Sequence, residues 1–427
     1  MREMKNSGVE WIGEIPTEWN LVPTKRLFRN IKRVVGAAAE EYERLALTMN
    51  GVIKRSKDDS EGLQPEKFEG YQILQKNELV FKLIDLENVK TSRVGLSPYI
   101  GLVSPAYIVL TNAKEDNRYF YYWFTFMYYN EVFNHLGGDG VRSALNAKDL
   151  LVLPVPNICE ALQIRIADYL DTKCAKIDAL IAKQQEAIEK LKAYKLSVIT
   201  EAVTKGLKPN VSMRESGIKY INSIPSHWEN RKMISLLAMR VVDGAHESPE
   251  LFDEGIPYIS ATAIENGKIN FERMRGYISE EYCDICDQRY VPALNDILVI
   301  KLGASTGQVA MVETTDRFNI WVPLAAVRCN EKANPRFIYY VFQSDYFIKQ
   351  MEQSWTYGTQ QTLGVKTIEK LRVLLPPIEE QITIAGYLDR KCTAVNSIIE
   401  KRQKLIDGLE QYKKSLIYEV VTGKREV

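Results

Sequence analysis

An internal duplication constrains this chain more than any other feature it carries. The segment Tyr169–Thr204 (YLDTKCAKIDALIAKQQEAIEKLKAYKLSVITEAVT) recurs as Tyr387–Thr422 (YLDRKCTAVNSIIEKRQKLIDGLEQYKKSLIYEVVT), ungapped and with roughly half the positions identical. Two further pairs keep the same order. Ser7-Gly8-Val9-Glu10-Trp11-Ile12 through Ile15-Pro16-Thr17-Glu18-Trp19 returns as Ser216-Gly217-Ile218-Lys219-Tyr220-Ile221 through Ile224-Pro225-Ser226-His227-Trp228, and Tyr42 through Asn50-Gly51 returns as Tyr258 through Asn266-Gly267. Each half therefore reads as a globular module followed by a long helix.

Both helical segments space their apolar residues in alternating steps of four and three. The first seam runs Ile177, Ile181, Gln184, Ile188, Leu191, Lys195, Val198, Ala202; the second runs Val395, Ile399, Arg402, Ile406, Leu409, Lys413, Leu416, Val420. Polar residues break both seams at the same two places, Gln184/Arg402 and Lys195/Lys413. Neither segment contains proline, so each can run unbroken for about 40 residues, about 60 Å. Pro154, Pro156 and Pro376-Pro377 mark the helix entries, and Lys205-Gly206-Leu207-Lys208-Pro209 marks an exit. An antiparallel pairing of the two helices is expected. Leu180/Ile398, Ala187/Leu405 and Tyr194/Tyr412 extend the apolar surface beyond one seam, so a partner protein is expected to bury the excess. A bare spacer is the plainer alternative.

Composition bounds what the modules can be. The 427 residues suffice for two cores, and 45% hydrophobic with 26% charged residues describes a globular protein. No apolar run spans a bilayer, no signal peptide is expected because Met1–Lys5 leads straight into the first repeat motif, and six scattered cysteines suit a reducing cytoplasm. A net charge of +1 predicts no polyanionic partner by itself, so any nucleic-acid contact must use locally clustered basic groups.

The modules read as mixed α and β. In the first, Val22 to Val35 is expected to form a short basic helix carrying Lys25, Arg26, Arg29, Lys32 and Arg33. β-rich runs follow at Glu78 to Leu83 and Gly101 to Leu110, then an aromatic helix from Tyr119 to Phe133. In the second, Tyr258 to Ala261, Asp296 to Leu302, Gln308 to Val312 and Ile320 to Val327 read as strands, and Phe337 to Gln350 as a helix. Polar loops lie between: Gly137 to Ser143, Gly303 to Gly307 and Tyr357 to Thr362. Such loops carry either recognition side chains or plain turn chemistry.

Catalytic motifs are sparse. The three histidines, His135, His227 and His246, form no sequence cluster, and Cys283-Asp284-Ile285-Cys286 is a lone CxxC without a second pair. Asn334-Pro335-Arg336-Phe337 differs from the Asn-Pro-Pro-Phe of adenine methyltransferases at its third position, and reads more simply as a helix start. There is no phosphate-binding loop of the P-loop type.

The doubled pattern of an Ile-Pro-x-x-Trp opening, a module, a Pro-flanked entry into Gln163-Ile164-x-Ile166 and Tyr169-Leu170-Asp171, and a long helix resembles the specificity subunit of type I restriction–modification systems. The second entry, Leu375-Pro376-Pro377-Ile378-Glu379-Glu380-Gln381-Ile382-x-Ile384-Ala385-x-Tyr387-Leu388-Asp389, matches the family pattern closely; the first departs from it by the extra residues Asn157 to Leu162. The resemblance implies an α+β fold: two target recognition domains joined by two long helices packed as an antiparallel coiled coil, with an internal pseudo-two-fold repeat. Its parts would be a first recognition domain (1–153), a helix and linker (154–208), a second recognition domain (209–375) and a second helix (376–427). It implies a non-catalytic, cytoplasmic, DNA-binding chain that reads a bipartite asymmetric target. Two methyltransferase subunits and an endonuclease subunit would dock on it, S-adenosylmethionine, Mg and ATP belonging to those partners. A methyltransferase or nuclease acting alone, and a coiled-coil adaptor with no DNA role, are the rival readings.

Within the modules, Arg29, Lys32 and Arg33 are candidates for phosphate contacts. Arg142, Gln360 and Gln361 are candidates in corresponding loops, and Lys301, Ser305, Thr306 and Gln308 form another cluster. A solvated charged face is the alternative for Arg29, Lys32 and Arg33, and turn capping for Gln361 and the other loop residues. Leu180, Tyr194, Ile398 and Tyr412 are the candidates for partner docking. No catalytic or metal-binding residue is expected.

Overall fold

The computed structural model describes residues 2–48, 51–58, 67–84, 86, 93–134, 144–357 and 361–427. It divides into two compact units, Met1–Gln185 with Lys404–Val427, and Glu186–Gln403. Each unit combines one module, part of its own long helix and part of the other repeat's helix. Four helices frame the two units: α1 (Asn117–Tyr129), α2 (Glu160–Lys205), α3 (Pro335–Phe342) and α4 (Ile378–Val421). The fold is α+β, with two mixed modules and an antiparallel helix pair.

In the first unit, one four-stranded sheet has the order Gly51–Arg55, Arg44–Thr48, Gly101–Val103, Gln72–Leu74. A second has the order Arg29–Asn30, Ile108–Thr111, Leu79–Phe81, Val94–Leu96. Helix α1 covers the second sheet. Asp116 caps it by accepting from the Arg118 N–H at 2.8 Å, and Phe120 and Phe124 meet Phe28 and Phe81 edge-on. The start of α2 (Ile166, Leu170, Cys174, Ile177) and the end of α4 (Leu416, Ile417, Val420, Val421) complete that core.

The second unit repeats the scheme. Its four-stranded sheet runs Val242–Asp243, Leu324–Val327, Ile297–Ile300, Val309–Met311, and a three-stranded sheet joins Gly276–Ile278, Ile256–Ile259 and Asn319–Ile320. In both units one strand after the repeated Tyr42/Tyr258 region takes a parallel neighbour: Arg44 opposite Leu102, and Tyr258 opposite Asn319.

Three sequence expectations need correction. Val22 to Val35 is not a basic helix. Asn20–Pro23 pairs as a strand with Pro154–Asn157, a single turn covers Thr24–Arg26, and Arg29–Asn30 pairs with Leu110 and Thr111. The i, i+3, i+4 spacing of the charges mimics a helical face, but the main-chain bonds go to strands. Ile320 to Val327 is two strands, interrupted around Pro323, which has no N–H to offer a ladder. Phe337 to Gln350 is also two helices, α3 and Asp345–Gln353, broken at Ser344, whose hydroxyl turns back to the Val341 carbonyl at 2.6 Å.

The Ile-Pro-x-x-Trp motif closes each unit. The main-chain N–H of Trp19 donates to the Pro16 carbonyl at 2.9 Å and that of Trp228 to the Pro225 carbonyl at 2.9 Å, and both indoles are buried. Each indole seats against a helix-terminating glycine with positive φ: Trp19 on Gly423 after α4, and Trp228 on Gly206 after α2. The N-terminal motif of each module therefore grips the tail of the other repeat's helix.

Candidate nucleic-acid interface and docking faces

The two units share a frame that extends beyond the repeated segments seen in sequence. Buried Gln163 accepts from the Asp116 N–H at 2.9 Å and donates to the Ile158 carbonyl at 2.9 Å; buried Gln381 does the same with the Asn334 N–H at 2.8 Å and the Pro376 carbonyl at 2.9 Å. Arg118 and Tyr122 of α1 bind Asp171 at 3.0 and 2.7 Å, while Arg336 and Tyr340 of α3 bind Asp389 at 2.7 and 2.6 Å. The pattern is Asp/Asn-x-Arg-x-x-x-Tyr answered by Gln and Asp on the long helix. Aligning the halves with the offset of the helices would have found it. Asn334 is thus the cap of α3, accepting from Phe337 N–H at 3.0 Å, as its plainer reading held.

The seam positions of α2 and α4 are buried or half-buried throughout, and the paired lysines show how the helices meet. In the second unit Lys195 donates to Asn396 at 2.9 Å; in the first, Lys413 binds Asp178 at 2.7 Å. Asp178 and Asn396 are equivalent repeat positions, as are the lysines, so one antiparallel register serves both units. On a heptad built from the seam, Asp178 and Asn396 fall on one flank, which faces the modules. There the first unit forms an open cleft of about 780 Å³ lined in part by Tyr121, Tyr128, Asp178 and Lys413, and the second one of about 500 Å³ lined in part by Lys195, Phe342, Trp355 and Asn396. The other flank carries Leu180, Tyr194, Ile398, Leu405 and Tyr412, whose relative exposures run from 43 to 51%. In an antiparallel pair this flank of both helices lies on the same side, so each unit presents an apolar strip.

The sequence-derived recognition residues fall in different settings. Arg29 and Lys32 are exposed, whereas Arg33 is tied to buried Glu78 at 2.9 Å. Lys301 is turned inward and buried, with its ammonium 2.7 Å from Asp243. The structure brings Ser305, Thr306, Gln308 and Gln361 together. The Gly303 N–H reaches the Gln361 carbonyl at 3.1 Å, Thr306 closes the turn on the Gly303 carbonyl at 2.7 Å, and the Gln308 N–H bonds Ser305 at 3.1 Å. Of these, the Gln308 side chain is exposed and Thr306 is buried. Arg142, Gln360 and His135 lie outside the described residues. His227 pairs with Glu380 at 2.8 Å and His246 with Asp243 at 3.1 Å. Cys283 and Cys286 are both buried on the helix Glu280–Asp287, and burial pushes the Cys283 thiol up to about 11, away from thiolate chemistry. No group of three or more potential metal ligands occurs among the described residues, and no described helix is long and apolar enough to cross a membrane.

Comparison with known proteins agrees with this frame. The model of the type I restriction modification DNA specificity domain matches residues 225–407, which include the second module and most of α4. Together with the relatives and the solved structure below, this match indicates a type I restriction–modification specificity subunit. The EcoBI specificity subunit of Escherichia coli is 25% identical over 317 residues, 69% of this chain and 66% of that one. The MjaX specificity subunit of Methanocaldococcus jannaschii is 24% identical over 443 residues, 97% of this chain and 96% of that one. A solved structure concerned with complex assembly and conformational transition of the type I R-M system shares the fold, with a TM-score of 0.65 at 13% identity over 95% of this chain and 98% of that one. Specificity subunits are in general non-catalytic.

Proposed function

We propose that this specificity subunit reads a bipartite, asymmetric DNA target, one half-site with each module, and performs no chemistry itself. The observation that carries the reading is the frame shared by both units: the same Gln, Arg, Tyr, Asp and Lys contacts recur, while the loops they support differ. Equal frames with unequal loops suit two readers of different words. The exposed apolar flank of the helices supplies the docking face for two copies of a methyltransferase subunit, and an endonuclease subunit joins that assembly. S-adenosylmethionine, Mg and ATP would act on those partners, in the cytoplasm. A solitary methyltransferase or nuclease, and an adaptor without a DNA role, fit the two differing loop sets less well.

Module exchange tests the reading. Replacing residues 22–152 by the same module of a relative should change one half of the modified motif recovered from cells and leave the other unchanged. A change in both halves would defeat independent reading.

A further inference from the structure

A strip of the second module that no sequence motif singled out carries its own recognition chemistry. Asp243 is buried, and three basic groups converge on its carboxylate: Lys301 at 2.7 Å, His246 at 3.1 Å, and Arg289, which also donates to the Asp243 carbonyl at 2.9 Å. Lys301 alone balances that charge. Arg289, half exposed, is surplus to it, and His246, more exposed still, lies beside it. The chain then passes Gly244, where an added Cβ would overlap the Ile320 carbonyl, and Ala245, which bridges to Trp321. This close approach pins the segment to the sheet.

On Trp321 lies Arg275, its Cζ 3.3 Å from the ring centroid. Stacking fixes the plane of a guanidinium and leaves its edge for an acceptor. Arg275 has no carboxylate partner among the described residues. Its Nη2 reaches Ser248 Oγ only at 3.5 Å, and Arg275 Nη1 and Trp321 Nε1 are buried donors without an acceptor. Nη1, covered by protein atoms, is out of a ligand's reach, so the edge left for an acceptor is the one formed by Nε and Nη2. The acidic residues that follow in the chain, Glu247, Glu250, Asp253 and Glu254, repel phosphates, so this segment does not itself hold a DNA backbone.

We propose that this strip is where the second module grips its half-site: Arg275, held on Trp321, reads the O6/N7 edge of a guanine, and Arg289 holds a phosphate beside it. The proposal rests on the DNA-reading function argued above and names the site for it. Guanine is the base whose major-groove edge offers two acceptors to one guanidinium.

The test uses the full chain assembled with its methyltransferase partner. Modified motifs are mapped in cells carrying wild type, Arg275→Lys or Arg289→Gln, and binding is measured on the mapped motif and on random duplex. Arg275→Lys keeps the charge but not the fork, and should lower discrimination at one guanine of one half-site by about ten- to hundredfold, leaving the other half-site intact. Arg289→Gln should keep the whole word, weaken binding to every duplex, and make the log–log salt slope shallower by about one. Unchanged discrimination in Arg275→Lys, a uniform loss across sequences in that variant, or an altered word in Arg289→Gln overturns the assignment. A wild-type complex that prefers no duplex overturns the DNA-reading function itself.

Discussion

Substituting Gly423 by alanine puts the helix-tail clasp to a quantitative test. Gly423 has φ +72°, and a Cβ there would stand 2.5 Å from Pro16 Cγ, 2.7 Å from Pro16 Cδ and 3.0 Å from the Trp19 ring. Two costs combine. The left-handed conformation costs an alanine about 1–2 kcal/mol, and forcing a methyl into a closed contact costs about 1–3 kcal/mol more. Gly8 lies in the same unit with nearly the same φ, +76°, and nothing within 4 Å of its Cβ position, so Gly8→Ala bears only the first cost. The difference between the variants isolates the clasp. For a unit of this size each kcal/mol moves the midpoint by about 2–4 °C, so Gly423→Ala should melt roughly 5 °C below Gly8→Ala in calorimetry. Gly206→Ala should act similarly but more mildly on the second unit. Its closest neighbour is the mobile end of Glu380 at 2.8 Å, with Trp228 at 3.2 Å. Equal midpoints for Gly423→Ala and Gly8→Ala would refute the clasp.

Three further outcomes are expected. Burial acts to raise the Asp243 carboxyl, but Lys301 and Arg289 outweigh it and hold the group below its ordinary value. The stability it contributes is therefore present above about pH 4 and lost as pH falls through the lower folded value. Urea titrations across that window should show wild type losing stability that Asp243→Asn never had, and parallel pH profiles would sink the idea. Arg29→Gln with Lys32→Gln should reduce the salt slope of DNA binding by up to about two. Arg33→Gln should instead cost roughly 1–3 kcal/mol of stability by stranding Glu78; the reverse assignment in binding and denaturation assays would refute it. Ile398→Glu with Leu405→Glu should keep the far-ultraviolet circular dichroism and lose co-purification of the methyltransferase. Retained co-purification would remove this flank from the docking face.

Periodicity makes most of the frame legible in the sequence. The seam of α2 and α4 is a long, regular pattern, and its prolines and Gly206 bound it, so the helices and their exposed flank were legible. The charges at Lys25, Arg26, Arg29, Lys32 and Arg33 misled because spacing alone does not show where main-chain bonds go, and here strands at residues 108–111 and 154–157 claim them. Lys301 counted among DNA candidates because its loop is polar; its partner Asp243 lies 58 positions earlier, and only tertiary contact reveals the pairing. Arg275 is not legible in the sequence for the same reason, since nothing in its neighbourhood announces Trp321.

The polar interruptions of the seam also explain why the helices pair as they do. If the two copies packed in parallel and in register, equivalent positions would face each other, placing Lys195 against Lys413 and Gln184 against Arg402. Two ammonium groups on one seam repel, and neither would find an acceptor. Reversing one helix brings each lysine to the repeat-related acceptor of the other, Asn396 for Lys195 and Asp178 for Lys413, at 2.9 and 2.7 Å. Because Asp178 is half exposed, the contact itself is worth little in stability, on the order of 0–1 kcal/mol. Its effect lies in the alternative it penalises. A duplicated helix would otherwise match itself equally well in either direction; the lysine at one repeated position weighs against the parallel pairing, and the grip of Trp19 on Gly423 and of Trp228 on Gly206 adds to the antiparallel one.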